Sequence, residues 1–132
     1  EIGKARHVQE GSDLSIITYG AAVHWALDFA GKHPDLSIDI LDLRSLLPLD
    51  YEAIRSSAMR TGKILVLHED TLTGGTGAEI AAWISEHCFQ YLDAPVMRCA
   101  SLDTPIPFNI DLEKNFMAYS RLDETVNKLM AY

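Results

Sequence analysis

Basic charge is scarce in this chain. Across 132 residues it carries 11 Lys and Arg against 19 Asp and Glu, a formal net charge of −8. The resulting field repels phosphate backbones and anionic lipid surfaces, which argues against a nucleic-acid or membrane-surface role and suits a basic protein partner. Long apolar runs are missing too. The stretch Ile38–Leu43 is broken by Asp39 and Asp42, far short of the roughly 20 residues that a membrane span needs. There are only two cysteines, Cys88 and Cys99, and no CxxC pair; one falls on a helical face and one in an expected strand, as buried free thiols of a reducing compartment do. No signal-peptide pattern precedes the first strand, and the chain opens on Glu1 without a Met, so a fragment of a longer polypeptide is expected. Its length suits one domain with a proper core, spanning residues 1–132.

What is present is an alternation of short apolar runs with helical periodicity, the pattern of a mostly parallel sheet. Leu14–Tyr19 is rich in β-branched residues and reads as a strand. After Gly20, the residues Val23, Ala26, Leu27 and Ala30 recur at helical spacing, with Gly31 and Pro34 as stops. Ser37–Leu43 is a second strand. Asp50 reads as the N-cap of a helix that faces inward with Ile54, Ala58 and Met59 and ends at Gly62. Lys63–His68 has the composition of a central strand. The glycine-rich loop Thr73–Gly77 leads into the longest expected helix, whose stripe is Ile80, Trp83, Ile84, Cys88 and Tyr91. Pro95–Ala100 is a further strand and Leu122–Met130 a closing helix. Lys4–Gln9 reads as a strand joined to the next by a turn at Glu10–Asp13, a connection that short permitting only an antiparallel neighbour. The expected architecture is an α/β, three-layer α/β/α sandwich on a mostly parallel sheet with one antiparallel strand.

Three places could carry chemistry. Gly74-Gly75-Thr76-Gly77 stands before a helix, where exposed amides could cradle an anion. It matches neither GxGxxG nor GxxxxGKS/T, and Glu79 in the first turn would oppose an anion; a tight turn that lets helix and strand approach closely is the favoured reading. His68-Glu69-Asp70 ends a strand on the side where ligands of open parallel sheets sit, but a second nitrogen ligand is missing, because His7, His24, His33 and His87 are scattered without metal spacing. Asp42 and Arg44 form a candidate ion pair. No serine lies in a GxSxG context, and Cys88 on an apolar stripe reads as core. From the residues alone, no catalytic constellation emerges.

Several stretches taken in order resemble one family. They are Gly3–Arg6, Glu10–Gly20, the Asp42-Leu43-Arg44 to Pro48-Leu49-Asp50 block, Thr61–Lys63, His68-Glu69, Gly74–Ala82, Leu92–Arg98, Asp103–Pro107 and Leu112-Glu113. Together they look like the transketolase C-terminal domain in beta subunits of thiamine-diphosphate-dependent 2-oxoacid dehydrogenases, of the pyruvate and branched-chain types. The resemblance implies a five-stranded sheet and a parent oxidoreductase that decarboxylates a 2-oxoacid on thiamine diphosphate and magnesium. It also implies that this domain binds no cofactor or metal itself, holds no catalytic residue and is inactive alone. Implied partners are an alpha subunit or alpha-like region, a second beta subunit, and the subunit-binding domain of a dihydrolipoyl acyltransferase core. The docking residues it implies are Asp93, in Leu92-Asp93-Ala94-Pro95, and the terminal carboxylate of Tyr132. A cytoplasmic setting follows in a bacterium and the mitochondrial matrix in a eukaryote. Asn115–Tyr119 departs from the family pattern. Two other readings stand beside this one: the same domain in a transketolase or deoxyxylulose-phosphate synthase, and a free-standing anion- or nucleotide-binding module using Gly74–Ala78.

Overall fold

The computed structural model describes residues 1–132. Five strands, β1 (Arg6–Gln9), β2 (Leu14–Thr18), β3 (Ile38–Asp42), β4 (Ile64–Thr71) and β5 (Met97–Ser101), form one sheet in the order β1-β3-β2-β4-β5. All neighbours are parallel except β1 and β3. Helices α1 (Ala22–Lys32) and α5 (Leu122–Met130) cover one face, and α2 (Tyr51–Thr61) and α3 (Thr76–His87) the other. The expected sandwich is therefore the observed one. Because helices lie on both faces, the central strands are apolar on both sides. Ile16, Ile40 and Leu65 pack with Ala26, Phe29, Val126 and Leu129. Ile17, Leu41 and Val66 pack with Ile54, Ala58, Ile80 and Ile84. Each fully buried Leu or Ile contributes about 1.5–3 kcal/mol.

The antiparallel strand does not form the hairpin that its short turn suggested: β1 skips β2 and pairs with β3 at the sheet edge. The turn instead crosses the start of β3. Ser12 and Asp13 donate backbone N–H groups to the Ser37 carbonyl (3.0 and 2.8 Å), and Ser37 N–H donates to the Asp13 carboxylate (2.7 Å). A Cβ on Gly11 would lie 2.2 Å from the Ile38 carbonyl carbon, so only glycine lets the chain cross at this height.

The Asp50 cap and the Gly62 stop stand where expected. Asp50 accepts from Ala53 N–H (3.2 Å) and also from Ala5 N–H (3.1 Å), and Gly62 adopts φ +67°. Four details differ from expectation. Helix α1 runs through Gly31 to Lys32, and Leu27 is exposed while Phe29 is buried. Met59 points to solvent, its inward place on α2 taken by Ser57 and Thr61. Helix α3 stops at His87, with Cys88 buried at its cap and Phe89–Tyr91 in a 3₁₀ turn. The Asp42–Arg44 contact is no ion pair: the Asp42 carboxylate accepts the Arg44 backbone N–H (3.0 Å), closing a turn in which Arg44 has φ +58°. A further helix, α4 (Ile110–Phe116), follows β5 and is capped by the Asn109 side chain, which accepts from Asp111 and Leu112 N–H. Both cysteines are free and buried.

Candidate functional site

The carboxyl ends of β2 and β4 bring Tyr19, His68, Glu69 and Asp70 against the glycine loop. His68 is fully buried, and neither ring nitrogen has a hydrogen-bond partner. Its ring lies parallel to that of Tyr19, with centroids 6.1 Å apart and planes 10° from parallel. A Cβ on Gly75 would sit 2.8 Å from His68 Cε1, and one on Gly77 2.1 Å from Nε2. The glycines therefore admit the imidazole edge to the first turn of α3. This is the close helix–strand approach that the sequence favoured for the loop.

Burial favours the uncharged form of both rings. Burial lowers the His68 pKa below its ordinary 6.5, opposed by the Asp70 charge. Burial raises the Tyr19 pKa; the Thr76 hydroxyl partly offsets this, and Asp70 adds to it. The start of α3 has no side-chain cap, and Glu79 stands in its first turn. A cleft of about 490 Å³ opens beside it, lined by Tyr19, Glu69, Asp70, Thr76, Ile106 and Glu113 among others. A diphosphate placed there would meet the carboxylates of Glu69, Asp70 and Glu113, with no lysine or arginine on the lining. No three side chains of His, Cys, Asp or Glu converge as a metal ligand set. The residues present do not fit thiamine diphosphate with magnesium.

Asp93 and Tyr132 lie at the opposite end of the sheet. Asp93 is exposed on the loop before β5; its N–H donates to the Gly62 carbonyl (2.8 Å), and a Cβ on Gly62 would fall 2.3 Å from Asp93 Oδ2. The end of α5 is tied down by Lys63 Nζ, which donates to the Met130 carbonyl (3.4 Å), two residues before the exposed Tyr132. The two expected docking residues are thus anchored through consecutive positions, Gly62 and Lys63, at the amino end of β4.

One buried polar cluster escaped the sequence reading. Asp39, fully buried on β3, accepts from Arg60 Nη1 (2.8 Å), Ser15 Oγ (3.1 Å), Ser57 Oγ and His7 Nδ1 (3.1 Å). The parallel register sets Ser15 directly beside Asp39. Every acceptor site of the carboxylate faces a donor, so the cluster clamps α2 and β1 to the sheet.

A mixed five-stranded sheet with two helix layers, its antiparallel strand at one edge, defines a three-layer α/β sandwich. A split-gene transketolase solved as an inactive beta4 tetramer superposes on 99% of the chain and 42% of its own, with TM-score 0.82 and 26% identity. The family "Transketolase, C-terminal domain" matches residues 3–120, and the chain belongs to that family. Curated relatives are 2-oxoacid dehydrogenase beta subunits. The 2-oxoisovalerate dehydrogenase subunit beta of Bacillus subtilis is 47% identical over 119 residues, covering 88% of this chain and 36% of that protein. The mitochondrial 2-oxoisovalerate dehydrogenase subunit beta of Dictyostelium discoideum is 38% identical over 135 residues, covering 99% and 36%. The pyruvate dehydrogenase E1 component subunit beta of Rickettsia bellii is 38% identical over 114 residues, covering 85% and 35%. The chain therefore spans about a third of the length of these relatives.

Proposed function

We propose that the chain is the C-terminal domain of the beta subunit of a thiamine-diphosphate-dependent 2-oxoacid dehydrogenase and that it serves assembly and docking. The observation that carries this reading is the 47% identity to a 2-oxoisovalerate dehydrogenase beta subunit, extending over nearly the whole domain. In this reading the parent enzyme decarboxylates a branched-chain 2-oxoacid or pyruvate, and thiamine diphosphate and magnesium are held by its other parts. The acidic lining of the carboxyl-end cleft supports that division. The domain packs against an alpha subunit and a second beta subunit. Asp93 and Tyr132, at the amino end of the sheet, meet the basic subunit-binding domain of the acyltransferase core, steered by the net charge of −8. The parent works in the cytoplasm of a bacterium or the matrix of a mitochondrion; relatives of both kinds are known, and no helix here is long and apolar enough to cross a membrane.

The test is to co-produce the full-length beta subunit with its alpha subunit and follow CO₂ release from 2-oxoisovalerate and pyruvate. Release that requires thiamine diphosphate and magnesium supports the reading; an assembled complex that decarboxylates neither overturns it. Docking is tested separately. Binding of the subunit-binding domain should weaken severalfold on Asp93→Ala and fade with added salt; salt-independent binding, or none at low salt, removes that role. The transketolase reading rests on the superposition above, at 26% identity. The anion-module reading predicts that phosphate or a nucleotide at 100 times its dissociation constant stabilises by about 2.7 kcal/mol, and a flat melting response discards it.

A further inference from the structure

Apart from the carboxyl-end cleft, the helical layer of α1 and α5 holds a second pocket, of about 270 Å³. Its floor is Phe29 and Leu122, both buried. Trp25 and Tyr119 form the walls, their rings edge to face with centroids 5.6 Å apart. Asp28, Lys32 and Asp123 stand at the rim. Ligand pockets run upward from roughly 300 Å³, so this one has room for a single small molecule. The walls are held before anything binds. Arg121 Nη2 donates to the carbonyls of Ala100 and Phe116 (both 2.9 Å), which fixes the 3₁₀ turn Ala118–Arg121 that carries Tyr119. His33 meets the Asp123 carboxylate through Nε2 (2.9 Å) and packs its ring on Phe29 with centroids 4.2 Å apart, which joins the end of α1 to the start of α5. A preformed pocket loses little conformational freedom on binding.

Charge at the rim indicates what fits. Asp123 is engaged by His33, which leaves one carboxylate, Asp28, and one ammonium, Lys32. They stand four residues apart on α1, in the order in which an acidic and a basic side chain pair well. Yet neither forms an ion pair with the other or with any other side chain. Four residues rise about 6 Å along a helix, a gap that one α-amino acid spans with its ammonium toward Asp28 and its carboxylate toward Lys32. The aromatic walls then take an apolar side chain. A simple cation would face Lys32, and a simple anion would face Asp28 and Asp123. An apolar side chain reaching in from a polypeptide, the rest of this chain included, brings no such pair of charges, because its amino and carboxyl groups are locked in peptide bonds. The family pattern does not supply this pocket: Tyr119 lies in the segment that departs from it, and Leu122 and Asp123 follow the last residue that the family matches.

We infer that the pocket between Trp25 and Tyr119 is a binding site for a free α-amino acid with an apolar side chain, held by Asp28 and Lys32. This goes beyond the proposed function and does not rest on it. The pocket shares no lining residue with the carboxyl-end cleft and includes neither Asp93 nor Tyr132.

The test is calorimetric titration of the full-length chain, together with the subunits it assembles with, using L-leucine and L-phenylalanine. At least one should bind saturably with a Kd of roughly 0.1–1 mM, the range open to so small a ligand. Asp28→Asn and Lys32→Met should each weaken binding tenfold or more. Both side chains are exposed, and an unchanged melting temperature confirms that the fold survives. The control 4-methylpentanoate lacks the ammonium, and N-acetyl-L-leucinamide lacks both charges; neither should bind measurably. If the blocked amide binds as tightly as leucine, the occupant is a polypeptide side chain and the inference is overturned. Equal binding of 4-methylpentanoate removes Asp28 as a partner and overturns it too. Flat titrations with both amino acids, or binding that both variants leave unchanged, have the same consequence. None of these outcomes touches the proposed function.

Discussion

Replacing Gly77 by alanine puts the structural reading of the glycine loop to a quantitative test. Gly77 has no positive φ, so alanine meets no backbone strain. As a helical residue it would even gain up to about 1 kcal/mol from propensity. The obstacle is steric: the new Cβ falls 2.1 Å from His68 Nε2 and 2.4 Å from Cδ2, where ordinary contact needs about 3.5 Å. The ring must retreat by more than an ångström, and it is fully buried, so it has no solvent to retreat into. Overpacking of this kind costs about 1–3 kcal/mol. At roughly 3–5 °C per kcal/mol for a domain of this size, the melting temperature should fall by roughly 3–15 °C. The decisive comparison is a double-mutant cycle in urea. In a His68→Ala background the obstructing ring is gone, and Gly77→Ala should become neutral or mildly stabilising. If alanine at 77 costs as much with His68 removed as with it present, the close approach is not why glycine stands there.

Two further perturbations follow from the same geometry. Burial depresses the His68 pKa in the folded state, so its contribution to stability is present above the unfolded value of 6.5 and is lost as pH falls through the lower folded value. Urea midpoints measured from pH 7.5 down to 5 should fall less steeply in His68→Gln than in the wild type; equal slopes would contradict the burial argument. Asp39→Ala should cost about 3 kcal/mol by urea denaturation, the lower end for a broken buried pair because the Arg60 side chain keeps a third of its exposure. A loss below about 1 kcal/mol would show that the cluster does not clamp the sheet.

The strands and their flanking helices were legible because β-branched runs, the Asp50 cap and the Gly62 stop each act locally. Strand order was not. The placing of β1 beside β3 depends on a glycine crossing over Ile38, an approach with no trace in the local pattern around Gly11. Asp39 looked like an interruption of an apolar run, since only the register with Ser15 and the reach of Arg60 from α2 make it the centre of a cluster. The segment Leu102–Leu112 shares only Asp103–Pro107 and Leu112 with the family pattern. Ile106, Phe108, Ile110 and Leu112 recur at every second position, the spacing of a strand, yet Pro105 and Pro107 keep the segment out of the sheet and all four are exposed. At the candidate site, the loop's closeness to a strand was expected, whereas its filling by His68 required two segments separated in sequence to meet.

The central claim is that this domain helps build a catalytic assembly without supplying a reacting group, and His68 is the residue that could contradict it. It is the one buried imidazole at the carboxyl end of the sheet, without a hydrogen-bond partner on either nitrogen. The direct measurement is kcat and its pH profile for the reconstituted alpha–beta enzyme carrying His68→Gln, at matched concentrations of assembled complex. A domain that supplies no reacting group leaves kcat within about twofold of wild type and the profile unchanged. A fall of about a hundredfold, or loss of one limb of the profile in an intact complex, would make His68 a catalytic residue and contradict the account.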